Sequence, residues 1–138
     1  MKMKNDSYQN GRITERTVAK NEIDELGHVN NAEYVKWIQA AATEHWFAIA
    51  PAELIEKYVW FCSRHEIDYK QQLFIDELVE IRTWLGSTKG ARFDRFIDIR
   101  GKGSEKPAVM ARTTWVLIDR EMQRPVRVQP EILKIFRW

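Results

Sequence analysis

The chain has 138 residues, 44% of them apolar with six Trp and six Phe, enough material for one buried core. Its 22 Lys and Arg are scattered among 20 Asp and Glu for a net charge of +2, so the concentrated basic face of a nucleic-acid-binding protein is missing. Cys62 is the only cysteine, which excludes an intrachain disulfide, a dithiol redox motif and a Cys-rich metal site.

Residues 1–10 are polar and read as a flexible tail. Neither they nor any later run has the apolar length of a signal peptide or membrane helix, so a cytoplasmic protein without a membrane partner is expected. Arg12 to Lys20 alternates weakly and carries Ile13, Thr14, Thr17 and Val18, which predicts a first strand. The loop Asn21 to Asn30 follows. It contains the densest polar cluster in the chain, Asp24-Glu25-Leu26-Gly27-His28-Val29-Asn30-Asn31. Gly27 lets this loop turn sharply. Asn30 is a good helix N-cap, and Glu33 three residues later has capping-box spacing.

The helix is predicted over Ala32 to Ala50. Tyr34, Val35, Trp37, Ile38, Ala41, Ala42, Trp46 and Ile49 recur at helical spacing over a wide face, so the helix should be mostly enclosed. Pro51 ends it, with a short turn up to Lys57. From Val59 the period becomes two: Val59, Phe61, Ser63, His65, Ile67 and Tyr69 on one face, Arg64, Glu66, Asp68 and Lys70 on the other. Glu77 to Gly86 and Ala91 to Arg100 are the next strands, joined by a turn over Gly86 to Gly90. Gly101 to Pro107 connects to Ala108 to Asp119, whose Val, Thr and Trp content predicts a strand buried on both faces. Glu131 to Phe136 forms a short closing helix.

One strand, one long apolar helix and four more strands predict an α+β protein, a curved antiparallel five-stranded sheet wrapped around the helix in a single domain. Alternating strands and helices are absent, as is a Gly-rich phosphate loop, which excludes a dinucleotide fold. The first-turn amides of the helix are suited to polarise a carbonyl or hold an anion, with Asp24, His28, Asn30 and Asn31 gathered around them. Asp24 either performs chemistry there or orders the loop by bonding backbone amides. The three histidines lack metal-ligand spacing, so no metal is expected.

The run Asp24-x-x-Gly27-His28-Val29-Asn30-Asn31-x-x-Tyr34, followed by Trp37, resembles the signature of hotdog-fold acyl thioesterases. It is similar to the 4-hydroxybenzoyl-CoA thioesterase-like group and, in its His-Val-Asn-Asn portion, to plant acyl-ACP thioesterases. The resemblance extends over roughly Arg12 to Phe136, including Ile67-Asp68-Tyr69 and Arg124-Pro125-Val126-Arg127 to Pro130. It implies a hotdog fold and a homodimer or homotetramer, with the strand after the helix pairing with its copy and the active site at the subunit interface. It further implies hydrolysis of acyl-CoA or acyl-ACP, without a cofactor beyond the coenzyme A of the substrate. Asp24 matches the catalytic carboxylate and the amide near Asn31 the oxyanion donor. His28 and Asn30 either assist or frame them, and Gly27 and Tyr34 complete the motif beside the substrate. Arg64, Lys89 and Arg92 are candidate partners of the coenzyme A phosphates, or ordinary surface charge.

The plant enzymes carry Asn two residues after the Asp, where this chain has Leu26, and an acid and a Cys after the tyrosine of the second strand, where it has Gln72 and Leu73. This favours a scheme with one carboxylate. The thiol leaving group, of pKa ~8.5, needs little help to depart. The alternatives are a non-catalytic module binding acyl-CoA or acyl carrier protein, and a 3-hydroxyacyl thioester dehydratase pairing His28 with Glu44.

Overall fold

A computed structural model of the protein describes residues 11–137. The tail expected over residues 1–10 lies outside them. Strand β1 (Arg12–Thr17) leads through a single 3-10 turn (Lys20–Glu22) to helix α1 (Asn31–Ile49) and the short α2 (Ala52–Lys57). Four long strands follow, β2 (Tyr58–Tyr69), β3 (Leu78–Lys89), β4 (Arg92–Gly101) and β5 (Val109–Asp119), then the two-residue β6 (Arg124–Pro125) and helix α3 (Pro130–Arg137).

All pairings are antiparallel, in the order β1-β3-β4-β5-β2, with β6 on β5. This is the hotdog arrangement with one strand more than expected. Strand β6 pairs Ile118 and Asp119 just beyond Val116, where β4 begins, so it completes that edge of β5. Pro125 has no amide to give, and the ladder stops there.

Helix α1 lays Tyr34, Trp37, Ile38, Ala41, Ala42, His45 and Trp46 on the sheet. Its other face is exposed, including Phe47 at 57%, so within one chain the helix is covered on one side rather than enclosed. The helix ends where predicted, because Pro51 cannot supply the next amide.

Three strand expectations are corrected. The predicted inward face of β2 is reversed in its first half: Tyr58 is buried, whereas Val59 and Phe61 are 39% and 61% exposed. The pairing with β5 shifts between Cys62 and Arg64, and this bulge at Ser63 changes the parity, so Tyr58 and Trp60 share the inner face with His65 and Ile67. Gly86 does not open the β3–β4 turn. It sits within β3, at a second bulge between Leu85 and Thr88, and the chain reverses at Gly90 (φ +61°) and Ala91. Strand β5 is buried on one face only, through Val109, Ala111, Thr113 and Leu117, while Arg112 is exposed.

The core has two parts. An aliphatic cluster around Ile38, Val79, Ile97 and Ile99 lies under the first half of α1. An aromatic one, with Trp46, Tyr58, Phe93 and Phe136, lies under the second half and is closed by α3. Between them run buried polar groups: His45, Thr83, Arg95 and Thr113.

Candidate active site

The loop before α1 is built around Asp24. Its Oδ1 accepts the Leu26 amide at 2.9 Å, and its carbonyl accepts the Gly27 amide at 3.1 Å. Gly27 takes φ +87°, which a side chain would resist. The Asp24 amide donates to the His28 carbonyl at 3.0 Å, closing the loop, and Ile23 bridges Val29. Asp24 therefore does order the loop, but with one oxygen. The other, Oδ2, lies 3.8 Å from His28 Nδ1, and both side chains are largely shielded from solvent.

At the helix start, Asn30 Oδ1 accepts the Ala32 amide at 2.9 Å, the cap predicted for it. The second half of the capping box is not made. The Asn30 amide donates to the Glu22 carbonyl at 2.9 Å, and Glu33 turns to Lys36 at 3.2 Å instead. The Glu33 amide goes to the Asn30 carbonyl, which leaves the Asn31 amide as the first-turn donor without a partner among the described residues.

The segment after β2 supports this loop from beneath. Leu73 is buried, its carbonyl accepts the Val29 amide at 2.9 Å, and exposed Gln72 precedes it. Tyr34 lies against it with its ring 5.7 Å from Tyr69. Burial pushes the Tyr34 hydroxyl up to about 12, with the negative charge of Glu77 and Asp24 adding to it, so the hydroxyl stays protonated. The Tyr69 hydroxyl donates to the Asn31 carbonyl at 3.5 Å.

Sequence reasoning missed Glu22, the buried acid behind this loop. It receives Arg16 Nη2 on both oxygens at 2.5 and 2.6 Å, the Ala19 amide at 2.8 Å and Trp37 Nε1 at 2.8 Å. Burial alone would raise its carboxyl, but these donors outweigh it and hold the group below its ordinary value. Nothing in the local sequence distinguishes Glu22 from the exposed Glu25.

The three candidate phosphate-binding cations are not gathered at Asp24. Arg64 is engaged by Glu66 at 3.0 Å. Lys89 and Arg92 face each other beside the β3–β4 turn, both exposed. Tyr69 marks the Asp24 end of β5 by pairing Val109, whereas Arg92 pairs Val116. Seven residues of strand separate the two ends, roughly 23 Å. Glu44 is equally remote from His28, thirteen residues beyond Asn31 or roughly 20 Å along the axis, and it pairs with Arg12 at 3.7 Å. Cys62 Sγ lies 3.4 Å from His65 Nε2, a pair the sequence reading did not anticipate. Burial raises the thiol and lowers the imidazole, which disfavours a thiolate–imidazolium pair. Among the described residues no cluster of His, Cys, Asp and Glu is arranged to hold a metal ion, and no helix is long and apolar enough to cross a membrane.

The fold recurs in solved structures. A predicted thioesterase from Bacillus stearothermophilus superposes with a TM-score of 0.79 at 22% identity, covering 92% of this chain and 94% of that one. A 1,4-dihydroxy-2-naphthoyl-CoA thioesterase from Synechocystis gives 0.78 at 14% identity, covering 92% and 95%. A thioesterase from Thermus thermophilus, complexed with coenzyme A and Zn, gives 0.78 at 21% identity, covering 91% and 90%. No curated protein matches the chain. The family model of the thioesterase-like superfamily matches residues 18–136, from just after β1 into the closing helix, and the chain belongs to that superfamily.

Proposed function

We propose that the protein hydrolyses acyl thioesters, with Asp24 as the catalytic carboxylate and the Asn31 amide as oxyanion donor. The observation that carries this reading is that one carboxylate oxygen, Asp24 Oδ2, has only His28 at 3.8 Å beside it, and that the amide of Asn31 at the start of the adjoining helix makes no hydrogen bond among the described residues. Water attacks the thioester carbonyl as Asp24 takes its proton. The carbonyl oxygen gains charge, and the Asn31 amide, aided by the helix dipole, stabilises it. The tetrahedral intermediate collapses with loss of the thiolate, which takes back the proton, leaving the free acid. If Asp24 attacks directly instead and water then opens the anhydride at the Asp24 carbonyl, single turnover in isotope-labelled water leaves label in Asp24 rather than in the released acid. His28 and Asn30 position the two groups.

The acyl carrier is coenzyme A in this reading, supported by the coenzyme A bound in the Thermus thermophilus structure of the same fold. The working unit is at least a homodimer. Strand β2 is a twelve-residue sheet edge whose outer face shows Val59 and Phe61 to solvent, an arrangement suited to pairing with its own copy. Antiparallel pairing about the middle of β2 carries the Lys89 and Arg92 end of one protomer toward the Asp24 end of the other. Phe61→Glu is expected to yield a monomer by light scattering with thiol release from acyl-CoA reduced at least tenfold; an unchanged dimer would exclude this edge. Release of thiol from an acyl-CoA panel tests the function itself. Binding without release supports a non-catalytic module, and enoyl formation a dehydratase.

A further inference from the structure

Arg95 is 4% exposed in the middle of β4, and no carboxylate of the described residues pairs with it. Its Nη1 donates to Thr83 Oγ1 at 2.8 Å and to His45 Nδ1 at 3.0 Å, both neutral acceptors, while Nε and Nη2 have no hydrogen-bond partner among the described residues. Arg95 also lines a cavity of 150 Å³, whose walls include Trp46, Trp60, Phe93 and Phe136. Exposed Phe47 and Val59 stand at its rim.

None of the lining residues is acidic, and Trp60 Nε1 is buried without an acceptor. Arg120, the other lining cation, already donates to the carbonyls of Ile55, Glu56 and Tyr58. The cavity thus offers unmet donors and an aromatic wall but no anion. Desolvation brings Arg95 down to about 9, which still leaves it charged at neutral pH. A buried cation of this kind is costly until a counter-ion arrives. A cavity of this volume is about the size that takes one benzene ring.

We propose that this cavity binds a small carboxylate with an apolar body, its carboxylate paired with Arg95 through Nε and Nη2 and its hydrocarbon against Trp46, Trp60 and Phe136. A planar guanidinium edge with two free donors matches the two oxygens of a carboxylate. The site is separate from Asp24 within one chain. Ala42 and Trp46 lie eleven and fifteen residues beyond Asn31, roughly 17 to 22 Å along the helix. The binding claim therefore stands without the thioesterase reading.

Titration of the full chain with octanoate and 3-phenylpropionate, against 1-octanol and 3-phenylpropanol, tests it through the fluorescence of the lining tryptophans. The acids are expected to bind at least tenfold more tightly than the alcohols. Arg95→Met removes that preference while keeping alcohol binding, and Phe47→Glu, a surface change, weakens the acids more than the alcohols. Equal affinity of acid and alcohol in the wild-type chain, or a preference that survives Arg95→Met, overturns the proposal. A second arm identifies the source of the carboxylate. A KM for an ω-carboxyacyl-CoA tenfold below that for the plain acyl-CoA, erased by Arg95→Met, means that the carboxylate arrives tethered to its carrier. Equal KM values together with octanoate binding mean that it arrives as a free acid.

Discussion

Two of the molecule's buried charges, of opposite sign, are treated differently. Glu22, behind the Asp24 loop, has four hydrogen bonds from Arg16, Ala19 and Trp37. Arg95, under the second half of α1, has two, both to neutral groups. The first is a structural joint whose acid is fully met, although Arg16 Nε is buried without a partner: the acid holds β1, the 3-10 turn and α1 together, and its own carbonyl receives the Asn30 amide. The second is open on the side of a cavity. The difference teaches that a buried charge marks a framework when its donors and acceptors are complete, and a ligand site when they are not.

The largest effect should come from opening that joint at Glu22. Glu22→Ala strands Arg16, the Ala19 amide and the Trp37 indole, and is expected to cost about 3 kcal/mol in denaturant unfolding, the low end for a broken buried pair because Arg16 is 34% exposed. A loss below about 1 kcal/mol, the scale of an ordinary hydrogen bond, would show that the joint is not structural. Its pH dependence has a definite sign. The folded carboxyl is held below its ordinary 4.5, so the stability it confers is complete above that pH and disappears as pH falls through the lowered folded value.

The next effect belongs to the open centre. His45 accepts from Arg95 through Nδ1 and must be neutral to do so. Burial, with the positive charges of Arg95 and Arg12, lowers it to about 4 from 6.5. The unfolded chain binds a proton below pH 6.5 and the folded chain does not, so stability should fall by about 1.4 kcal/mol per pH unit between roughly 6.5 and 4. This window lies above that of Glu22. Urea unfolding at pH 7, 6 and 5 measures the slope, and His45→Gln should abolish it; a slope unchanged by that substitution would place the titrating group elsewhere.

The smallest effect sharpens the comparison most. Arg95→Met removes a charge with no counter-ion, so the unliganded protein should be as stable as wild type or more stable by about 1 kcal/mol. A loss comparable to that of Glu22→Ala would mean that Arg95 is a framework group as well.

Much of this arrangement was legible before any coordinates. Asn30 caps α1 and Pro51 ends it. Arg95 carries a signal in the sequence too, since it shares its face with Phe93, Ile97 and Ile99, a cation written into an apolar row. The reversed face of β2 carries none. Its bulge at Ser63 depends on the pairing with β5, and a parity change made by a partner strand leaves no local mark on an alternating sequence. Glu22 was hidden for a similar reason. Its partners Arg16 and Trp37 lie six and fifteen residues away and meet only when the helix docks. The capping-box spacing of Glu33 misled because the Asn30 amide had a better acceptor in the Glu22 carbonyl, a contact set by the folded loop.

The central claim, that Asp24 performs the chemistry beside the Asn31 amide, has one direct test. Asp24→Asn keeps the Oδ1 contact to the Leu26 amide and removes the charge, so the folded loop is retained while the base is lost. Thiol release from an acyl-CoA panel should fall by about 10²-fold or more, the scale of a lost general base, with an unchanged melting temperature. Wild-type turnover by a folded Asp24→Asn protein would contradict the account.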